Sequence, residues 1–179
     1  MSKRPNVQLM ILLATHGLWA FLITLWNDFF AFLPIYFYMV GIFAILPATR
    51  LDFPRGFTCA VLSGCFLDAA FPTPFGFHAC LLAIACVALR AIDEETLISR
   101  RRMPVVAALI INFIFFTSLH AWFTFQTPQG GEILHGRACI DLICSEVLLV
   151  IAFPWLIDLH KAFLNLAGME KAIIQNSAS

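Results

Sequence analysis

Charge is scarce in this chain. Asp, Glu, Lys and Arg make up 12% of its 179 residues, and 11 basic residues are balanced by 11 acidic ones. That balance excludes the basic face needed to hold nucleic acid. The scarcity excludes an ordinary soluble enzyme, in which about a quarter of residues are charged. No Cys-x-x-Cys pair and no His-Glu-x-x-His motif occurs, so the metal and redox sites announced by those spacings are missing. The cysteines Cys59, Cys65, Cys80, Cys86, Cys139 and Cys144 all lie in or beside apolar runs, where they read as small packing residues. No repeat, low-complexity tract or polar linker divides the chain, and one polytopic domain over 1–179 is expected.

What the chain does have is apolar surface: 61% of residues are hydrophobic and mean hydropathy is +0.88. A 20.0 kDa sphere has too little interior to hide it, so lipid is the expected surrounding. A helix crossing a bilayer needs about 17–25 apolar residues. Six such runs lie between the charges, at about 8–26, 34–48, 56–71, 75–92, 104–125 and 138–157. The second and third are short, which implies local thinning or helices that extend further. Pro34 and Pro104 are expected to open helices, where the first turn needs no amide hydrogen. Pro47, Pro54, Pro72, Pro74 and Pro128 are expected in or beside loops, and Pro154 inside the last span.

The expected fold class is therefore all-α integral membrane, a six-transmembrane-helix bundle. Its orientation follows from the basic residues. With both termini cytoplasmic, the inner side holds Lys3, Arg4, Arg50, Arg55, Arg90, Arg100, Arg101, Arg102, Lys161 and Lys171, and the outer side only Arg137. The basic N-terminus and first run read as an uncleaved signal anchor. Residues 158–179 form a short cytoplasmic or interfacial tail. Leu159, Phe163, Leu166 and Ile173 share a helical face there, suited to lying on the inner leaflet.

Ionisable groups inside such spans cost about 2.5–3.5 kcal/mol each and mark candidate sites. Asp68 in the third span and His78 in the fourth are expected close together across the turn 72–75. His120 and Asp141 are expected at similar depth, with His16 and Glu146 nearer the midplane. A metal or proton site built from Asp68, His78, His120 and Asp141 is one reading. The simpler one has Asp68 pairing with His78 or capping backbone amides. Arg137 and Asp141, four apart, suit an ion pair. Asn112 suits an interhelical hydrogen bond, and Glu146 a neighbouring helix or partner rather than lipid. Gly64 with Asp68, and Ala79 with Ala83, place small or polar groups where helix backbones can approach.

The stretch from Gly64 through Asp68, Pro72, Pro74 and Gly76 to His78 and Ala79 resembles the MreD family of rod-shape-determining membrane proteins, in which a Gly-x-x-x-Asp helix end leads through a short turn to a helix-opening Gly. Pro34 before an aromatic-rich second span, the basic loop 50–56, and Phe153, Pro154 and Trp155 near the end of the last span resemble it as well. The resemblance implies a non-catalytic scaffold of the bacterial elongation machinery in the cytoplasmic membrane. Its implied partners are MreC, the actin-like MreB, RodA and a class B penicillin-binding protein. The implied fold is similar to that of the substrate-binding subunits of energy-coupling-factor vitamin transporters. Structural or partner-binding candidates are Gly64, Asp68, Pro72, Pro74, Gly76, His78, Glu146 and Pro154, with no catalytic, cofactor or metal residue expected.

That similarity supplies the alternative, a substrate-binding subunit of a small-molecule transporter. Such a subunit needs an outward pocket and an Ala-x-x-x-Ala face on the first span, but Ala14, Gly17 and Ala20 are spaced by three. For an intramembrane enzyme, Ser63 lacks the glycine two residues earlier, where Val61 stands. Asp68 and Asp141 also lack the settings of an aspartyl pair.

Overall fold

The computed structural model describes residues 4–33, 35–92, 103–126 and 131–166. Six helices occur among them: α1 (Arg4–Phe29), α2 (Ile42–Arg50), α3 (Phe53–Ala70), α4 (Phe77–Ala91), α5 (Met103–Gln126) and α6 (Gly131–Leu166). The described residues contain no strand. Three stretches, Asn6–Phe29, Met103–Gln126 and His135–Leu166, are long and apolar enough to cross a membrane. At 1.5 Å per residue, 24 helical residues span about 36 Å. Large apolar side chains such as Phe21, Ile110, Phe113, Ile143 and Trp155 face outward from these helices. Helices apolar on every side need either protein or lipid around them.

The short helix α2 is the centre of the bundle. Every residue from Ile42 to Ala48 is buried. It packs on α3, α4 and α5, while α1 lies on α3 and α6, and α5 pairs with α6. Gly56 at the start of α3 makes this possible, since a Cβ there would lie 2.5 Å from the carbonyl oxygen of Pro47 in α2.

The second run departs from its expected form. Residues 35–39 are neither helix nor strand, and only Ile42–Arg50 of this run is helical. Pro47, expected in a loop, is inside α2. Pro34 lies outside the described residues, as do Arg100, Arg101, Arg102 and Pro128. The physical reason begins with Ile35, Tyr36, Phe37 and Tyr38, since β-branched and aromatic residues lose side-chain freedom in a helix and form it less readily. Non-helical backbone inside a bundle then requires hydrogen-bond partners from elsewhere, and polar side chains on three neighbouring helices provide them.

The last helix also differs. Rather than ending near residue 157, α6 runs without a break to Leu166, and His160 is buried against the bundle. Residues 158–166 therefore belong to the same helix as the last apolar run. The rest of the expected tail, 167–179, lies outside the described residues.

Candidate functional site

The corner between α3 and α4 is built by one glycine and one carboxylate. At Gly64 an added Cβ would lie 2.5 Å from the backbone nitrogen of Ala79, so only glycine lets the two helices meet there. One turn further along α3, Asp68 is buried and faces the start of α4. Its Oδ2 accepts from the amides of Gly76 at 2.8 Å and Ala79 at 3.3 Å, and its Oδ1 from the amide of His78 at 2.8 Å. These are N-terminal amides that α4 itself leaves unpaired. The positive end of the helix also favours the negative charge. Gly76 adopts φ +98°, the left-handed region that glycine enters without a Cβ penalty.

The connecting turn is short and stiff. Phe71 donates its amide to the carbonyl of Leu67, Thr73 to Phe71, and Phe77 to Pro74. Pro72 and Pro74 carry no amide hydrogen and so leave no donor of their own to satisfy. Thr73 adds its hydroxyl to Asp68 Oδ1 at 3.4 Å.

From this corner a buried polar chain reaches the non-helical segment 35–41. The Nδ1–H of His78 donates to Asp68 Oδ1 at 2.8 Å, and Nε2 then accepts from the hydroxyl of Tyr38 at 2.9 Å. His78 and Tyr38 are both fully buried, and Phe71 packs against both rings. An aspartate–histidine–hydroxyl order is familiar from nucleophilic catalysis. Here the carboxylate also accepts backbone amides and the Tyr38 hydroxyl is buried, so the chain ties α3 and α4 to the segment 35–41.

Residues 35–41 form a strap whose backbone is held almost entirely by side chains. Asn27 of α1 brackets Phe37, accepting from its amide at 2.8 Å and donating to its carbonyl at 2.9 Å. Asp141 and Ser145, one turn apart on α6, accept from the amides of Tyr36 and Tyr38, each at 2.9 Å. Asn112 of α5 donates to the carbonyl of Tyr38 and accepts from the amide of Gly41, both at 3.0 Å. A Cβ on Gly41 would lie 2.7 Å from the Asn112 amide nitrogen, so glycine is again what permits the approach. Asn112 also donates to Glu146 Oε1 at 3.0 Å, which gives the mid-span carboxylate its mate.

Other candidates fall in different places. Arg137 Nε approaches Asp141 Oδ2 at 3.8 Å, a loose version of the expected i, i+4 pair. His16 links α1 to α3 by an Nδ1···Oγ contact of 2.7 Å with Ser63. Pro154 is exposed on α6 beside exposed Trp155, away from the corner. All six cysteines are free. The proposed quartet of ligands does not assemble: Asp68 and His78 bind each other, His120 turns to His135 at 2.8 Å, and Asp141 holds the strap. Among the described residues no three His, Cys, Asp or Glu side chains converge on a metal position.

Beside the corner lies a cavity of about 300 Å³. Tyr36, Phe71 and Phe116 form part of its apolar wall, and Thr73, His120, Arg137 and Asp141 supply its polar groups. No family model, no curated protein and no solved structure matches the chain. The arrangement itself is therefore what supports a reading of function.

Several of these residues were not singled out by sequence reasoning. Asn27 and Ser145 hold the strap, Tyr36 and Tyr38 within it are the residues held, and Thr73 bonds the corner carboxylate. Their available signal was an aromatic and β-branched run ending in Gly41, a composition that does not favour helix. Nothing local pointed to partners 105 or 107 residues away.

Proposed function

We propose that this chain is a non-catalytic membrane scaffold of the bacterial cell-elongation machinery, of the MreD kind. It crosses the cytoplasmic membrane six times, with both termini inside. The strap and α2 together make the second crossing, with irregular backbone enclosed by protein. MreC is its principal partner, and MreB, RodA and a class B penicillin-binding protein are its wider company.

The observation that carries this reading is how the buried polar groups are used. Asp68, His78, Asn27, Asn112, Asp141 and Ser145 are engaged by backbone amides and carbonyls or by one another. Such groups fix a shape rather than perform a reaction. A fixed shape with an apolar exterior suits recruitment of other membrane helices, where packing and a few hydrogen bonds supply the binding energy. Co-purification with MreC in mild detergent tests the proposal. Recovery of a stoichiometric pair is expected, and consistent failure to recover it would remove the scaffold role.

The cavity beside the corner favours a second reading, a substrate-binding subunit of a small-molecule transporter. A volume of about 300 Å³, with mixed apolar and polar lining, is the kind of space a small ligand occupies. The two readings separate by mass spectrometry of purified protein. Retention of a vitamin-sized molecule at one per chain supports the transporter subunit, and a ligand-free spectrum with MreC bound supports the scaffold.

A further inference from the structure

We propose that His120 and His135 form a two-histidine site for a divalent transition-metal ion of the Zn²⁺ class. The inference stands apart from the scaffold reading and does not depend on it. The two residues come from different helices, α5 and α6, and each aims a ring nitrogen at the other. His120 Nε2 lies 2.8 Å from His135 Nδ1, with ring centroids 5.0 Å apart and planes at 69°. Two imidazole nitrogens on one tetrahedral zinc, with bonds of about 2.0–2.1 Å, sit about 3.3 Å apart. Opening the pair by roughly half an ångström, a small side-chain adjustment, therefore creates a position within bonding distance of both.

Access and chemistry agree with this assignment. His135 is exposed and His120 half-buried, so an ion can reach them, whereas His16, His78 and His160 are buried. Imidazole pairs select zinc, copper or nickel, while magnesium and calcium require oxygen ligands. No third His, Cys, Asp or Glu among the described residues completes a cage. Water fills the remaining coordination positions, and the affinity belongs in the micromolar range, far weaker than a four-ligand structural site. A bound ion ties α5 to α6 beside the cavity, because His120 is part of that cavity's wall.

The test is calorimetric titration of Zn²⁺ into chelator-treated full-length protein carrying no polyhistidine tag, in detergent. One saturable site per chain is expected, weakened at least about tenfold in His120→Gln and in His135→Gln. Cys139→Ser is expected to bind as the wild type does, and Mg²⁺ is expected not to bind. Zn²⁺ should also raise the unfolding midpoint of the wild type but not of His120→Gln. Absence of saturable binding below about 100 µM Zn²⁺ would overturn the proposal, and so would a site left unchanged by both histidine variants.

Discussion

Replacing Asp68 by alanine tests the corner most severely. The carboxylate accepts three amides of the first turn of α4 and the Nδ1–H of His78, all inside the bundle. One capping acceptor contributes about 0.5–2 kcal/mol. Leaving a buried donor without its acceptor costs about 1–3 kcal/mol, and here the His78 Nδ1–H and three amides lose theirs together. These contributions share one side chain and add only in part, so the expected loss for Asp68→Ala is about 3–5 kcal/mol. Asp68→Asn keeps one acceptor oxygen but turns an amide N–H toward backbone donors, and should lose about 2–3 kcal/mol. Reversible unfolding in mixed micelles, followed by fluorescence of the 4 tryptophans, measures both. A double-mutant cycle with His78→Phe should return a coupling of at least about 1 kcal/mol. A loss for Asp68→Ala within about 0.5 kcal/mol of zero, or strict additivity in the cycle, would refute the reasoning.

Further outcomes follow from the same contacts. Gly64→Val should cost more than about 3 kcal/mol or prevent folding, because α3 and α4 cannot separate without breaking the Asp68 cap; Gly17→Ala, with nothing within 4 Å, should be neutral or stabilising by about 0.5–1 kcal/mol. Unfolding midpoints of the two variants give the comparison. Gly76→Ala has room for its Cβ but must hold φ +98°, and should lose about 1–2 kcal/mol in the same assay. Asn112→Leu frees the strap at Tyr38 and Gly41 and should speed hydrogen exchange of the Gly41 amide by at least about tenfold. Glu146→Gln retains an acceptor for Asn112 and should leave that exchange within about threefold of wild type.

What could be read from the sequence was chemistry close together along the chain. Asp68, Gly76 and His78 lie within 10 residues, and prolines with a glycine between two apolar runs define a turn by local rules. The carboxylate had exposed helix amides within reach, and its role followed. The strap obeyed no such rule. Hydropathy treats residues 34–48 as one span whether the backbone is helical or not, because it counts side chains and ignores carbonyls. Only the positions of Asn27, Asn112, Asp141 and Ser145 decide the matter, and three of these meet the strap across 71 to 109 residues. Glu146 and Asn112 were each recognisable as residues needing a partner. That they partner each other, 34 residues apart, depends on the rotation of α5 against α6, which periodicity alone does not determine. The extension of α6 past residue 157 was hidden by Asp158 and Lys161, whose side chains are exposed while His160 between them is buried.

The proposed architecture requires an even number of membrane crossings that keep all but one of the cationic side chains on one leaflet. An epitope in the segment 126–136 and a second at the C-terminus, probed in intact and permeabilised cells, report this directly. The account predicts that the first is reached from outside without permeabilisation and the second only after it. Detection of both from the same side would contradict it.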